Sequence, residues 1–232
     1  MAEITSPQNH TIDALINKDD GLKYWEGVNA DVNGMLGGFP QVSKIDIRGS
    51  RTFLAKLGIG SKPGQRVAAS ALEGGAGIGR VTEGLLLDGI AQQVDVIEPV
   101  AKFTRALSGK PGVRNIFNIG LEDWRPAEGD QYDLIWIQWC VGHLTDGELV
   151  RFLERCKTAL NPDGGVIVVK ENNSTDKEDV FDEVDSSVTR NDQTFRRLFS
   201  EAGLRLIQIE LQKGFHNIGL LPVRMYALKP AK

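Results

Sequence analysis

A glycine-rich segment at residues 73–80, Glu-Gly-Gly-Ala-Gly-Ile-Gly-Arg, has the composition of a loop that binds a nucleotide-like ligand. Glycines at positions 75, 77 and 79 lack a Cβ atom, so the backbone can turn tightly and approach a ligand closely. The helix expected after this loop offers free N–H groups at its start. A glycine-rich turn without a ligand is the alternative. The fingerprint of dinucleotide dehydrogenases needs a third glycine at position 80, where this chain has Arg80, so a nicotinamide cofactor is disfavoured.

Two carboxylates accompany the glycine loop. Glu73 ends the predicted strand before it, and Glu98 ends the next predicted strand, roughly 20 residues further on. A carboxylate at that second position can accept hydrogen bonds from both hydroxyls of an adenosyl ribose. A solvated acid at a strand end is the alternative, but the glycine loop upstream favours the ribose role for Glu98.

Aromatic residues and a histidine follow another predicted strand. Trp136 has the parity of the buried strand residues, so we expect it in the core. Trp139 and His143 come after the strand, at the edge where ligands bind in sheets of this kind. We therefore expect these two side chains to face a ligand.

Alternating strands and helices must position these residues. Apolar runs at residues 67–72, 93–97, 115–119, 134–137 and 166–169 predict strands. Helices are predicted at residues 43–56, 147–160 and 192–202. The runs at residues 204–211 and 223–228 are joined by a connection too short for a helical crossover, so they must be antiparallel. The pattern predicts an α/β fold: a mostly parallel seven-strand sheet with a terminal antiparallel hairpin and helices on both faces.

Composition excludes several classes of protein. The chain has 232 residues, enough for one α/β domain, and a net charge of −4, which offers no footprint for nucleic acid. Its two cysteines, Cys140 and Cys156, have neither zinc nor redox spacing, so we expect buried free thiols and no metal site. Residues 1–20 contain no apolar signal core, and no apolar run is long enough to cross a bilayer. These features predict a soluble intracellular protein without a membrane partner.

Four blocks of the sequence together resemble the eukaryotic protein N-terminal (α-N) methyltransferases. They are Val-Asn-Gly-Met-Leu-Gly-Gly at 32–38, Gly-Ala-Gly-Ile-Gly-Arg at 75–80, Ile-Trp-Ile-Gln-Trp at 135–139 with Gly-His-Leu at 142–144, and Val-Asp-Ser-Ser-Val-Thr-Arg at 184–190. The glycine block is shared by many methyltransferases, whereas the blocks at 138–143 and 185–187 are specific. The similarity extends over nearly everything from Tyr24 to Leu228.

The resemblance implies a class I (Rossmann-like) methyltransferase that uses S-adenosylmethionine (AdoMet) and releases S-adenosylhomocysteine. The implied substrate is the α-amino group of a protein N terminus of the form X-Pro-Lys, exposed after removal of the initiator methionine and methylated one to three times. On the same ground we expect ribosomal proteins as partners and the cytoplasm, with the nucleus as a further compartment, as the location. Residues 1–58 are expected to form a helical extension over the active site, and residues 59–232 the methyltransferase domain.

The resemblance also assigns roles to individual positions. Residues expected to bind the cofactor are Gly75, Arg80, Glu98, Pro99, Val100, Leu121, Glu122 and Gln138. Residues expected to bind the peptide are Tyr24, Trp25, Leu36, Trp139, Asn172, Asp182 and Ser187, with Asp185 and His143 as the catalytic pair. Glu98 stands where animal members have Asp, which keeps the carboxylate. Leu221-Pro222 stands where they tend to have Tyr, so that peptide contact is not carried over.

The residue types fit these roles on physical grounds as well. Asp182 and Asp185 complement a cationic amine and a lysine side chain, whereas the acids at residues 176–179 are expected to be solvated. The ring of Trp139 offers an apolar face to a proline. An α-amine has a pKa of about 8, and either Asp185 or His143 could receive its proton.

Three other functions were weighed against this one. A class I methyltransferase that acts on a small-molecule amine would have a closed pocket, whereas a peptide needs an open acidic channel. A nonenzymatic cofactor-binding protein is disfavoured because candidates are present for every donor and acceptor position. A nicotinamide dehydrogenase is disfavoured by Arg80 and by the terminal hairpin.

Overall fold

The computed structural model describes residues 11–215 and 219–231, so residues 1–10 of the predicted extension and residues 216–218 and 232 of the predicted domain lie outside the described residues. Strands and helices alternate along the described chain. The strands are β1 (Ala68–Gly74), β2 (Ala91–Ile97), β3 (Val113–Phe117), β4 (Leu134–Gln138), β5 (Val166–Asn172), β6 (Val180–Asp182), β7 (Ser187–Thr189), β8 (Leu204–Leu211) and β9 (Val223–Pro230).

The α-helices that the structure describes are α1 (Lys18–Gly27), α2 (Val32–Met35), α3 (Ser43–Lys56), α4 (Ala101–Thr104), α5 (Asp146–Thr158) and α6 (Asp192–Glu201). Helix α5 starts with a capping box, in which the Thr145 side chain accepts from the Glu148 N–H and the Glu148 side chain accepts from the Thr145 N–H. A π-helical segment, Thr82–Leu86, follows the glycine loop. Within the described ranges, no helix combines the length and hydrophobicity needed to cross a membrane.

Seven strands form one sheet in the order β3-β2-β1-β4-β5-β9-β8. All pairs are parallel except those of β9, which runs antiparallel to both β5 and β8. This confirms the predicted sheet and its terminal antiparallel hairpin. The chain moves outward from β1 to β3 and returns to β4, so a crevice opens between the carboxyl ends of β1 and β4, where ligands bind in such sheets.

Two elements differ from the sequence prediction. Strand β3 lies two residues earlier than predicted, because the Asn118 amide donates to the Glu98 carbonyl at 2.9 Å and to the Thr104 hydroxyl at 3.0 Å, which turns the chain out of the strand. The acidic segment before residue 190, predicted as a loop, contains the antiparallel pair β6–β7. Its strands have three residues each and lack an apolar alternation that would predict them.

The core covers both faces of the sheet. Phe152 of α5 packs in the cluster on one face, and Trp136 of β4 is buried in the cluster on the other, as predicted. Phe53 and Leu54 of α3 belong to the same cluster as Trp136, so part of the predicted N-terminal extension is integral to the core of the sheet. The division of the chain into an extension that ends at residue 58 and a methyltransferase domain that follows it stays a prediction.

Candidate active site

A cavity of about 390 Å³ lies at the carboxyl ends of β1, β2 and β4. This volume is within the range of small-molecule sites. The residues predicted to bind the cofactor all line it: Gly75, Arg80, Glu98, Pro99, Val100, Leu121, Glu122 and Gln138. Trp25, Trp139 and His143 also lie on its wall.

The glycine loop is constrained by its backbone conformation and by the atoms that surround it. Gly75, Gly77 and Gly79 have φ angles of 71°, 54° and 83°, a region that other residues seldom adopt. A Cβ atom on Gly75 would lie 2.7 Å from the Cys140 sulfur, and one on Gly77 would lie 2.8 Å from the Met35 sulfur. The loop is therefore confined between α2 and the segment after β4.

Glu98 is placed to bind ribose hydroxyls. Its side chain is 7% exposed, and its two oxygens accept hydrogen bonds from the Gly77 N–H and the Val100 N–H, each at 2.9 Å. Burial raises the pKa of this carboxyl, and the two N–H groups oppose that shift. The carboxylate is thereby fixed between the glycine loop and the end of β2, with lone pairs left for a ligand. The free lone pairs of this carboxylate fit the hydroxyl groups of an adenosyl cofactor.

Glu73 forms the floor of the cavity. It is 2% exposed, and burial raises the pKa of its carboxyl to about 8. The Thr82 hydroxyl donates to it at 2.6 Å. Near neutral pH the protein without cofactor therefore holds Glu73 mainly in its neutral form.

Residues 139–143 form a turn, which we call the acceptor turn. Trp139 has a φ of 53°, an uncommon conformation for a residue with a side chain. The buried carboxylate of Glu171 accepts from the N–H groups of Cys140 at 3.1 Å and Val141 at 3.4 Å. The buried guanidinium of Arg190 donates to the Val141 carbonyl at 3.0 Å and to that of Leu144 at 2.6 Å. Opposite charges thus hold the turn from two sides.

Glu171 and Arg190 were missed by the sequence analysis. Glu171 follows the apolar run of β5, and burial raises the pKa of its carboxyl to about 7. Two charged residues in succession after the apolar run at 166–169, Lys170 and Glu171, are the signal that could have identified it. Arg190 ends the block at residues 184–190, but nothing in its spacing showed that it would be buried.

Three buried polar atoms around the acceptor turn have no hydrogen-bond partner among the described residues: Trp139 Nε1, His143 Nδ1 and Asp185 Oδ1. An unpaired buried polar atom costs roughly 1–3 kcal/mol, so a cluster of them points to a polar ligand. The Trp139 ring stacks on Phe215 with its centroid 6.4 Å away. The Arg80 guanidinium lies 5.5 Å from the centre of the Trp139 ring.

His143 is held as a neutral imidazole. Burial lowers its pKa, and the nearby Asp185 carboxylate opposes that shift. The Trp25 indole N–H donates to His143 Nε2 at 2.9 Å. An acceptor at Nε2 requires the neutral ring to carry its proton on Nδ1.

Helix α1 roofs the cavity. A Cβ atom on Gly21 would lie 3.3 Å from His143 Nδ1 and 3.2 Å from the Asp185 carbonyl oxygen, so the helix packs directly on both residues. Its first turn is tied down where the Asn17 N–H donates to the Ser186 hydroxyl at 2.8 Å. Its last turn is held by the Lys102 ammonium, which donates to the carbonyls of Glu26 and Val28.

Six of the predicted catalytic or substrate residues lie away from the cavity wall: Tyr24, Leu36, Asn172, Asp182, Asp185 and Ser187. Tyr24 packs edge-on against Trp25, with ring centroids 5.4 Å apart. Leu36 packs with Phe215 and Val223. Asp182 is exposed on the β6–β7 hairpin, where it accepts from the Val184 N–H at 2.8 Å. Their roles stay predictions.

The cysteines and a metal site can be judged over the described residues. Cys140 and Cys156 are free thiols, as predicted; Cys156 is buried and Cys140 is half-buried. Burial raises the pKa of both thiols, so neither is a reactive thiolate. In residues 11–215 and 219–231, no group of three or more His, Cys, Asp or Glu side chains is arranged to hold a metal ion.

Known proteins resemble the chain over nearly its whole length. Residues 13–229 match the family described as AdoMet dependent proline di-methyltransferase. Alpha N-terminal protein methyltransferase 1 of Schizosaccharomyces pombe is 46% identical over 217 residues, covering 91% of this chain and 95% of that protein. N-terminal Xaa-Pro-Lys N-methyltransferase 1 of Homo sapiens is 43% identical, covering 82% of this chain and 85% of that protein.

Solved structures give the same fold. A SAM-dependent methyltransferase of Leishmania major superposes with a TM-score of 0.80 at 39% identity, covering 93% of this chain and 86% of that one. The 1,6-didemethyltoxoflavin-N1-methyltransferase of Burkholderia thailandensis, solved with S-adenosylhomocysteine, has a TM-score of 0.65 at 18% identity, covering 99% and 93%. The second likeness concerns the fold alone. The sheet is that of the class I methyltransferases, as predicted.

Proposed function

The chain belongs to the family of AdoMet-dependent proline dimethyltransferases, and on this premise we propose that its substrates are proteins whose N terminus is X-Pro-Lys. It is an AdoMet-dependent methyltransferase that methylates α-amino groups of protein N termini. The relatives named N-terminal Xaa-Pro-Lys N-methyltransferase 1 support this motif for the present chain. The initiator methionine must be removed first, because the proline stands second in the mature protein.

One observation carries the proposal at the level of the site. Trp139 Nε1, His143 Nδ1 and Asp185 Oδ1 are buried without partners around one turn at the end of β4. They combine two N–H donors with a carboxylate acceptor. A peptide terminus has the matching set, because its ammonium donates and its first carbonyl accepts. The stacked ring of Trp139 supplies an apolar face for the proline.

When bound, AdoMet would supply a methyl group on a sulfonium centre, which the lone pair of an amine can attack. Asp185 attracts the substrate ammonium and accepts a hydrogen bond from it through Oδ1. Because Trp25 occupies His143 Nε2, the neutral histidine offers only the N–H of Nδ1. In this arrangement Asp185 receives the proton, and His143 orients the terminus.

The proposed function is tested by mass spectrometry of peptides incubated with the protein and AdoMet. A peptide that begins X-Pro-Lys should gain methyl groups at its α-amine. The same peptide with an acetylated N terminus should gain none, and replacing Pro with Ala or Lys with Glu should sharply lower kcat/KM. Equal methylation of all four peptides would instead indicate a broader amine methyltransferase.

We also propose the partners and the cellular location. Ribosomal proteins are proposed as substrates by resemblance to the family, because those with X-Pro-Lys termini expose the required amine early in their lives. The cytoplasm, where initiator methionine is removed, is the proposed main location, with the nucleus as a second one. Mass spectrometry of ribosomal protein N termini from cells with and without the enzyme would test the substrate class.

A further inference from the structure

A buried carboxylate in α3 lies behind the cavity wall. Asp46 has no exposed surface, although acids are seldom fully buried without charged partners. Its Oδ2 accepts from the Arg80 guanidinium at 2.7 Å, and both of its oxygens lie 3.1 Å from the Gln138 amide nitrogen. It also forms an ion pair with Lys170, which is itself fully buried. We call Asp46, Arg80, Gln138 and Lys170 the Asp46 cluster.

Two members of the Asp46 cluster line the cavity, and they come from different elements. Arg80 follows the glycine loop, whereas Gln138 is the last residue of β4. Both have long side chains with several rotamers, and fixing such a side chain costs conformational entropy. Before any ligand binds, Asp46 fixes the Arg80 guanidinium and the Gln138 amide nitrogen, while the Trp136 indole N–H fixes the Gln138 oxygen at 3.0 Å.

Lys170 neutralises the negative charge of Asp46 with its ammonium group. Its ammonium also donates to the Ser50 hydroxyl at 2.9 Å and to the Gln212 side-chain oxygen at 2.8 Å. Burial lowers the pKa of Lys170 to about 8, although Asp46 opposes that shift. For Asp46, burial acts to raise the pKa, but the charges of Lys170 and Arg80 outweigh it and hold the pKa below its ordinary value. Asp46 is therefore charged near neutral pH.

A second acidic side chain, Glu73, lies on the cavity side of Arg80. Glu73 lies close enough for the Arg80 charge to act on its carboxyl. Without Asp46, the guanidinium would lose the anion that it pairs with and would be free to turn into the space that the ligand needs. Asp46 holds it back from that position through the 2.7 Å hydrogen bond.

We propose that Asp46 is a positioning residue for the cofactor: without touching it, Asp46 sets the directions in which Arg80 and Gln138 present their donors to the cavity. The proposal rests on the cofactor site of the family but not on the X-Pro-Lys substrate. An Asn at position 46 would offer one acceptor oxygen and turn an NH₂ group toward the second donor. One of the two side chains, Arg80 or Gln138, would therefore lose its hydrogen bond to residue 46.

The test measures S-adenosylhomocysteine binding by calorimetry in the absence of peptide. The reference variant is Lys170→Met, and it is compared with Asp46→Asn/Lys170→Met, which removes both buried charges and leaves no uncompensated lysine. We expect the second substitution to raise Kd at least about tenfold, which corresponds to about 1.4 kcal/mol. When Asp46→Asn is added to Lys170→Met in a protein that also carries Arg80→Ala, Kd should rise by a smaller factor. The reason is that Arg80, one of the two groups that Asp46 positions, is absent.

Steady-state kinetics separate positioning from general damage. At saturating AdoMet the KM for an X-Pro-Lys peptide should change little, whereas the KM for AdoMet should rise with Kd. Equal Kd values for the two folded lysine variants would overturn the proposal. If the double variant does not fold, Asp46→Glu replaces it, since the charge stays while the carboxylate moves by one methylene. Wild-type affinity in that variant would also overturn the proposal. Failure of the wild type to methylate X-Pro-Lys peptides would leave these Kd comparisons intact.

Discussion

Asp185 and His143, the predicted catalytic pair, lie close enough for the Asp185 charge to act on the imidazole, and they offer different chemical groups. Both have a buried polar atom without a partner, an oxygen on Asp185 and Nδ1 on His143. The carboxylate can attract a cation and accept its proton, whereas the histidine, with Nε2 bonded to Trp25, can only donate. The pH dependence of a single substitution therefore distinguishes their roles.

The substitution Asp185→Asn keeps the shape of the side chain and removes its charge. We expect kcat/KM for an X-Pro-Lys peptide to fall by about a hundredfold near pH 7, the usual effect of losing a general base. Part of the activity should return between about pH 7 and 9, because the α-amine, with a pKa of about 8, then arrives without its proton. The measurement is kcat/KM against pH.

The matched control for this substitution is Asp176→Asn, which changes an exposed acid that precedes β6. It should leave the pH profile of the wild type unchanged. Near-normal kcat/KM in a folded Asp185→Asn enzyme at neutral pH would return Asp185 to the status of an ordinary surface acid. A loss that no rise in pH restores would assign it attraction and positioning, without proton removal.

At the scale of elements, α1 covers the cavity and is tied to the rest of the molecule at both ends. It is tied at its start to Ser186 and at its end to Lys102, and Gly21 packs on His143 and Asp185 between these points. A cofactor or peptide that enters from the side of α1 must displace it. The helix contains two glycines whose surroundings differ, which gives a comparison within one element.

Gly21→Ala should impair catalysis, whereas Gly27→Ala should not. A Cβ atom at Gly21 would press on His143 Nδ1 at 3.3 Å, but one at Gly27 would meet nothing within 4 Å. Each alanine favours the helix by roughly 0.5–1 kcal/mol, so a change in helix propensity alone would act alike in both. We expect the KM for peptide to rise several-fold in Gly21→Ala alone, as measured by initial rates. Equal kinetics in the two variants would show that α1 does not press on the acceptor site.

Sequence patterns predicted the elements that have a strong local signal. Helix α3 has the predicted bounds, and both ends of α5 lie within two residues of the prediction. The hairpin β6–β7 was missed because its three-residue strands are held by pairing and by the positive φ of Ser186, which apolar periodicity does not report. The glycine loop, Glu98, Trp139 and His143 were predicted from residue types and spacing, and the other cavity residues by resemblance. Buried charges such as Asp46 show no pattern until the helix is placed on the sheet.

At the scale of the whole molecule, folding buries acidic and basic side chains around the active site, and burial disfavours their charged forms. Glu73 is buried in the floor of the cavity, with Arg80 and Glu98 as the charged groups that act on it. Its pKa of about 8 lies above the ordinary value of 4.5. Folding therefore favours the protonated form, and the stability that this proton contributes is present below about pH 4.5 and is lost as the pH rises through 8.

We expect the free energy of unfolding, without cofactor, to decrease between about pH 5 and 8, with a contribution from Glu73 of up to roughly 4 kcal/mol at about 1.4 kcal/mol per pKa unit. Glu73→Gln should flatten this dependence. Glu171, with a pKa of about 7, also lowers the free energy of unfolding as the pH rises, in the wild type and in Glu73→Gln alike. Lys170 changes the free energy of unfolding above pH 8. Urea denaturation at several pH values measures the effect. Equal slopes for wild type and variant would show that Glu73 ionises normally.

Strand β9 has a consequence for how the chain is made. It is the last described strand to be synthesised, yet it lies inside the sheet, between β5 and β8. While a ribosome still holds residues 223–230 in its exit tunnel, the edge of β5 stays unpaired and its apolar residues stay uncovered. Such an edge invites pairing with other nascent chains. The sheet can close only after β9 has left the exit tunnel, so the enzyme passes through a stage with an exposed β5 edge before it can modify the first residues of other proteins.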